Sequence, residues 1–169
     1  DLLRVTLARP ARRNAVDTGM RSALLEALEL ARWDSALSVE IDADGPSFSA
    51  GGDLDEFGTA TDPATAHLIR VAGSVGQAIH DLRDRVVVRV HGACYGAGIE
   101  LPAFAGRVVA APDSRFALPE VAMGAIPGAG GTVSVTRRIG RCRALWFGLS
   151  GAVLDASQAL DWGLIDAIE

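Results

Sequence analysis

The stretch Val86-Val87-Val88-Arg89-Val90-His91-Gly92-Ala93-Cys94-Tyr95-Gly96-Ala97-Gly98-Ile99-Glu100-Leu101-Pro102 decides how this chain is read. Its valine-rich start reads as a strand, which Gly92 ends. Glycines at 92, 96 and 98 let a backbone bend closely around a ligand and leave its N–H groups free to donate. Residues 100–105 read as a short helix, so a carboxylate stands directly beyond the turn. Glu100 lies between Ile99 and Leu101 in a segment poor in charge. A buried carboxylate is costly unless it has a partner or a task.

Outward from this stretch the same pairing recurs. Leu118-Pro119-Glu120 precedes Gly128-Ala129-Gly130-Gly131-Thr132, and an earlier turn is Phe48-Ser49-Ala50-Gly51-Gly52-Asp53-Leu54. Each glutamate also has a purely structural reading. The helix dipole favours an acidic residue in a first turn, which covers Glu100, and Glu120 can hydrogen-bond a neighbouring turn. Two carboxylates beside unpaired amides are, equally, what proton transfer next to a developing oxyanion requires. These turns form the candidate active site.

The rest of the chain reads as α/β. Leu3, Val5 and Leu7 alternate with Arg4 and Thr6 in a strand over 3–8, and 38–42, 86–90, 107–111 and 116–118 read as further strands. Asp17 or Thr18 can cap a helix in which Met20, Leu24, Leu28 and Ala31 share a face. Pro63 suits a helix first turn, with Leu68, Val71, Val75, Ile79 and Leu82 as its apolar stripe. Helices are expected over 132–139, 143–149 and 157–162, the last capped by Asp155 and stopped by Gly163. Residues 1–169 form one domain on this reading, and 59–63 is a polar loop. Both ends look cut, with a new strand starting at the last residues.

Composition excludes several classes. A net charge of −5 argues against a nucleic-acid binder, which needs clustered cations. No uninterrupted apolar run is long enough to span a membrane, and the first residues show no signal-peptide pattern. Cys94 and Cys142 alone do not make a disulfide framework, which points to a reducing cytoplasm. All 16 basic residues are arginine, so neither a Schiff-base lysine nor a P-loop lysine exists.

Competing motifs fail on spacing. Gly92, Gly96 and Gly98 follow a strand but do not have the dinucleotide-binding spacing, and the matching acidic residue is missing. The glycines at 124–131 imitate a phosphate loop without its lysine. Ser49, Ser74 and Ser150 lie near glycines, yet no G-x-S-x-G elbow is present. His67, His80 and His91 are scattered, and no His, Cys or carboxylate cluster has metal-ligand spacing.

Four segments together resemble the crotonase superfamily of enoyl-CoA hydratases and isomerases: Arg9-Pro10-Ala11-Arg12-Arg13-Asn14-Ala15-Val16-Asp17, the turn at 48–54, the stretch 92–101, and 118–120 continuing through Ile126-Pro127-Gly128-Ala129-Gly130-Gly131-Thr132. The resemblance covers nearly the whole chain. It implies a crotonase-like spiral of ββα turns and an acyl-CoA thioester substrate. The thioester carbonyl would sit on the amides of Gly52 and Ala97, with Arg13, Ala15, Ala50, Asp53, Leu54 and Gly128 helping to hold the substrate. In such hydratases two glutamates handle the water and the α-proton, here Glu100 and Glu120 respectively. No cofactor is implied, since coenzyme A arrives with the substrate, and the implied assembly is a homotrimer or hexamer. Isomerases of the family often keep only one glutamate, so the pair favours hydration. Isomerase or thioester-hydrolase chemistry, or a non-catalytic acyl-CoA-binding subunit, are the alternative readings. The chain departs from the family in Ala97, which stands where glycine is common, and in lacking the family's usual C-terminal helical region.

Overall fold

Alternating or continuous runs of β-branched and aliphatic residues build a parallel sheet. A computed structural model describes residues 1–60, 62, 64–65 and 73–169. Among the described residues a five-stranded sheet has the order β1-β2-β3-β5-β8, from β1 (Leu2–Leu7), β2 (Ser38–Ala43), β3 (Val86–Val90), β5 (Arg107–Ala110) and β8 (Ala167–Ile168). All four pairings are parallel, with Leu3 opposite Val39 and Val88 opposite Val108. Val39, Ile41, Val86, Val88, Val90 and Val108 bury one face in the core. Arg4, Glu40, Arg89 and Glu169 pair with one another on the other face, which suits water.

A second, smaller sheet of three strands runs β4 (Ala93–Tyr95), β6 (Arg115–Ala117) and β7 (Leu154–Asp155). It explains the spiral. β3 and β5 are each followed by a strand of the small sheet, β4 and β6. The two earlier turns follow the same plan with a single bridging residue: Val16 pairs Gly52 after β1, and Ser49 pairs Cys94 after β2. The path repeats strand, short second-sheet step, helix, and each repeat pairs its step with that of a neighbouring repeat.

Helices close the layers. α1 (Thr18–Trp33) starts where the Asp17 carboxylate accepts the Met20 N–H at 2.8 Å, and buries Leu24, Leu28 and Ala31. Such a cap stabilises a helix by about 1 kcal/mol. α2 (Val75–Asp81) buries Val75 and Ile79, with Ser74 as its cap. Pro63, His67, Leu68 and Val71, expected on the same element, lie outside the described residues. α3 (Ala97–Glu100) continues into a 3-10 turn, Pro102–Phe104. α4 (Gly131–Ile139), α5 (Arg141–Ser150) and α6 (Ala156–Trp162) follow, the last with a full capping box between Asp155 and Gln158.

Two differences from the sequence reading matter for the site. The helix expected over 100–105 begins at Ala97, because Gly96 turns the chain at φ +48 and Glu100 N–H already bonds Gly96 O. β4 lies inside what reads as a turn. It is three residues long and held by partners distant in sequence, so it leaves no periodic signal.

Candidate active site

The glycine-rich turns lie side by side. Ser49 N donates to Ala93 O at 3.1 Å and Tyr95 N to Ser49 O at 3.0 Å, which zips the 48–52 backbone against 93–95. A β-carbon built on Gly51 would sit 3.9 Å from Ala97 N, so the two turns touch at this point. Among the described residues no acceptor takes the N–H of Gly52 or of Ala97. Two unpaired main-chain donors therefore stand on adjoining turns, an arrangement suited to an anionic or carbonyl oxygen.

Glu100 is the last residue of α3 and is 1% exposed. Its Oε2 accepts two main-chain N–H bonds from the next glycine-rich segment, Ala129 at 2.8 Å and Gly131 at 2.7 Å. Gly131 is required at that distance: a β-carbon there would lie 2.6 Å from Glu100 Cγ. Burial pushes the Glu100 carboxyl up from its ordinary 4.5 to about 7. The Gly131 N–H opposes that rise, and the negative charge of Glu120 reinforces it.

Glu120 opens the 3-10 turn Glu120–Met123 and is 8% exposed. Gly96 makes room for it. Its φ of +48 favours glycine, and a β-carbon on it would come within 2.5 Å of Glu120 Oε1. This places the carboxyl over the turn that presents Ala97. The other oxygen, Oε2, is buried with no hydrogen-bond partner among the described residues. Burial also raises the Glu120 carboxyl above the usual carboxylate range. Two facing carboxyls of this kind titrate as a pair and hold one proton more firmly than a surface glutamate does.

The rim is set by a polar loop. Arg13 and Asn14 both adopt left-handed backbone, with φ of 50 and 51, a conformation rarer for arginine than for asparagine. Asn14 is fully buried and fastens the loop: its Oδ1 accepts from Arg9 N, and its Nδ2 donates to Asp44 O and Ser47 O at 2.8 and 2.9 Å. Ala50 N donates to Arg13 O at 2.9 Å, which ties the loop to the 49–53 turn. Asp53 is buried, and its carboxylate takes Arg9 at 3.1 Å and Arg12 at 3.0 Å. The Asp55 amide and the two guanidiniums hold it below the usual range. Its side chain faces protein, so it builds the loop. Ala15 and Ala50 are half-buried beside it, whereas Arg13, Leu54 and Gly128 are exposed. The Arg13 guanidinium meets no carboxylate among the described residues.

Several residues have roles that sequence alone did not reveal. Ala129 and Gly131 hold Glu100, and Asn14 holds the rim loop; only the clustering of glycines hinted at the first. His91 bonds the Gly45 carbonyl at 2.8 Å, and His80 packs edge-on against Phe104. Both cysteines are free, Cys94 buried and Cys142 exposed. Among the described residues no group of three His, Cys or acidic side chains could hold a metal, and no helix is long and apolar enough to cross a membrane.

The chain is similar to known proteins. A family model described as enoyl-CoA hydratase/isomerase matches residues 1–169. The chain is 35% identical over 168 residues to 2,3-dehydroadipyl-CoA hydratase of Escherichia coli, covering 99% of this chain and 65% of that protein. It is 33% identical over 166 residues to trans-2-decenoyl-(acyl-carrier-protein) isomerase of Streptococcus mutans, covering 95% of this chain and 63% of that one. The chain thus spans slightly less than two thirds of the length of these relatives. Among solved structures, an enoyl-CoA hydratase from Thermoplasma volcanium superimposes with a TM-score of 0.91 at 30% identity, covering 99% of this chain and 68% of that one.

Proposed function

The chain belongs to the enoyl-CoA hydratase/isomerase family and has its crotonase fold, and from that premise we propose that it hydrates a 2-enoyl-CoA thioester. The observation that carries this reading is the facing pair, Glu100 held by two amides and Glu120 with a buried oxygen, beside the Ala97 turn, that has no hydrogen-bond partner among the described residues. A single carboxyl would suffice to move one proton along a substrate. Hydration needs a water activated at one carbon and a proton delivered at the next, and two differently held carboxyls suit that division.

In this reading the thioester oxygen accepts from Gly52 N–H and Ala97 N–H, and those donors stabilise the enolate that forms when oxygen adds at C3. Losing one such donor typically costs about 3 kcal/mol. Glu100, oriented by Ala129 and Gly131, positions the water and takes its proton. Glu120 gives a proton to C2. The net change is one water added, hydroxyl at C3 and hydrogen at C2. Arg13, Ala15, Ala50, Leu54 and Gly128 line the coenzyme A side, with Asp53 holding the loop of Arg13 and Ala15 in place through Arg9 and Arg12. Coenzyme A enters with the substrate, so the reaction uses no separate cofactor. We place the protein in the cytoplasm, without membrane or nucleic-acid partners, as a homotrimer or hexamer.

The similarity to a protein named as an isomerase supports a second reading, migration of the double bond through the same enolate. The test is the complete protein on crotonyl-CoA. Loss of the conjugated-thioester absorbance is expected, and it should be slowed at least about 100-fold by Glu120→Gln and by Glu100→Gln. Wild-type turnover in both variants would overturn the assignment.

A further inference from the structure

A third contact to Glu100 lies outside the carboxylate bonds. Ser134, one turn into α4 and 1% exposed, donates its Oγ hydrogen to the Glu100 main-chain oxygen at 2.7 Å. That oxygen sits at the end of α3, where helix carbonyls lack intrahelical partners. The same helix supplies Gly131 N–H to the Glu100 carboxylate. α4 therefore grips one residue at both ends, by its main chain and by its side chain. One turn further, Arg138 donates to Ala103 O at 3.0 Å and Ala105 O at 2.7 Å and pairs with Asp166. Ser134 and Arg138 face the same way on the helix. Between them they take the carbonyls of Glu100, Ala103 and Ala105, and of the two Ser134 alone reaches Glu100.

We infer that Ser134 is a positioning residue for Glu100, fixing the backbone from which the carboxylate meets Ala129 and Gly131. The inference rests on the hydratase reading for its catalytic consequence, whereas the geometric claim stands without it. Removing the hydroxyl leaves a buried carbonyl without its donor, and the end of α3 relaxes. The carboxylate then loses alignment with the two amides that stabilise its charged form. Small displacements of this kind reach large rate effects without contact to substrate.

The test compares Ser134→Ala, Ser134→Thr and Arg138→Gln in the complete protein by two readouts. The first is a carbon-13 NMR titration of the labelled Glu100 carboxyl, which needs no substrate. The second is the pH profile of kcat on crotonyl-CoA. Ser134→Ala should raise the apparent Glu100 pKa and lower kcat about tenfold, with KM little changed, and Ser134→Thr should restore both. Arg138→Gln should lower the melting temperature and leave the Glu100 titration in place. A wild-type titration in Ser134→Ala overturns the proposal, as does an equal shift in Arg138→Gln, which would mark general loosening. Should Ser134→Ala fail to fold, Ser134→Thr decides: an unshifted titration upholds the proposal and a shifted one sinks it. If no variant and no wild-type protein turns over crotonyl-CoA, the hydratase reading falls while the titration still judges Ser134.

Discussion

Glu100 and Glu120 have similar burial and opposite settings. Glu100 is bonded at both ends, through Oε2 to Ala129 and Gly131 and through its carbonyl to Ser134. Glu120 opens a short 3-10 turn, touches the space above Gly96, and leaves Oε2 without a hydrogen-bond partner among the described residues. The difference is what the proposed division of roles between the two carboxyls rests on. Main-chain donors orient a carboxylate and favour its charged form, so the well-held glutamate suits a water. A carboxyl in a dry place with an unfilled bond suits carrying a proton to substrate.

The largest effect should come from Glu120→Gln, which keeps shape and removes the proton. A loss of about 10³–10⁴ in kcat is expected by steady-state assay. Glu100→Gln should lose about 10²–10³, because its carbonyl still accepts from Ala129 and Gly131 and holds the water in place. Equal losses would erase the proposed division. Gly131→Ala sharpens it from the other side. A β-carbon 2.6 Å from Glu100 Cγ displaces that carboxylate alone, so kcat should fall roughly 100-fold while KM and the Glu120 setting stay put.

Stability should follow the same contrast. Burial raises Glu100 from 4.5 to about 7, so the unfolded chain releases its proton first as pH rises. The folded protein binds more protons between those values, and its stability falls across that window. The Glu100 contribution is fully present below pH 4.5 and is lost above pH 7. The change is on the order of 3 kcal/mol, shared with Glu120. Urea unfolding from pH 4.5 to 8 should show that decline in the wild type and a flatter line in Glu100→Gln. The smallest effect concerns the rim. On the proposed function, Arg13→Ala should raise KM for an acyl-CoA about fivefold and leave kcat alone, because an exposed charge assigned to the coenzyme side acts on binding and not on the reacting carbons.

Much of this was legible in the chain. β1, β2 and β3 announce themselves because alternation and valine runs are local signals, and α1 and α6 because Asp17 and Asp155 are local caps. The glutamates and their neighbouring glycines were readable for the same reason. The partners of Glu100 were not, since Ala129 and Gly131 lie about thirty residues away and only folding brings an amide to a given oxygen. β4 was hidden because three residues carry no period and its support comes from Ser49 and β6. Ser134 reads as an ordinary helix serine until the carbonyl it serves is known. Asp53, grouped with the substrate side on resemblance, has its carboxylate turned to Arg9 and Arg12, a pairing sequence distance conceals.

The central claim is that water enters the product, with oxygen at C3 and hydrogen at C2. The most direct measurement incubates the complete protein with crotonyl-CoA in deuterated water enriched in heavy oxygen and weighs the product. One heavy oxygen and one non-exchanging deuterium in a 3-hydroxyacyl-CoA is the predicted result. A double bond shifted without heavy oxygen, or release of free coenzyme A, would contradict it.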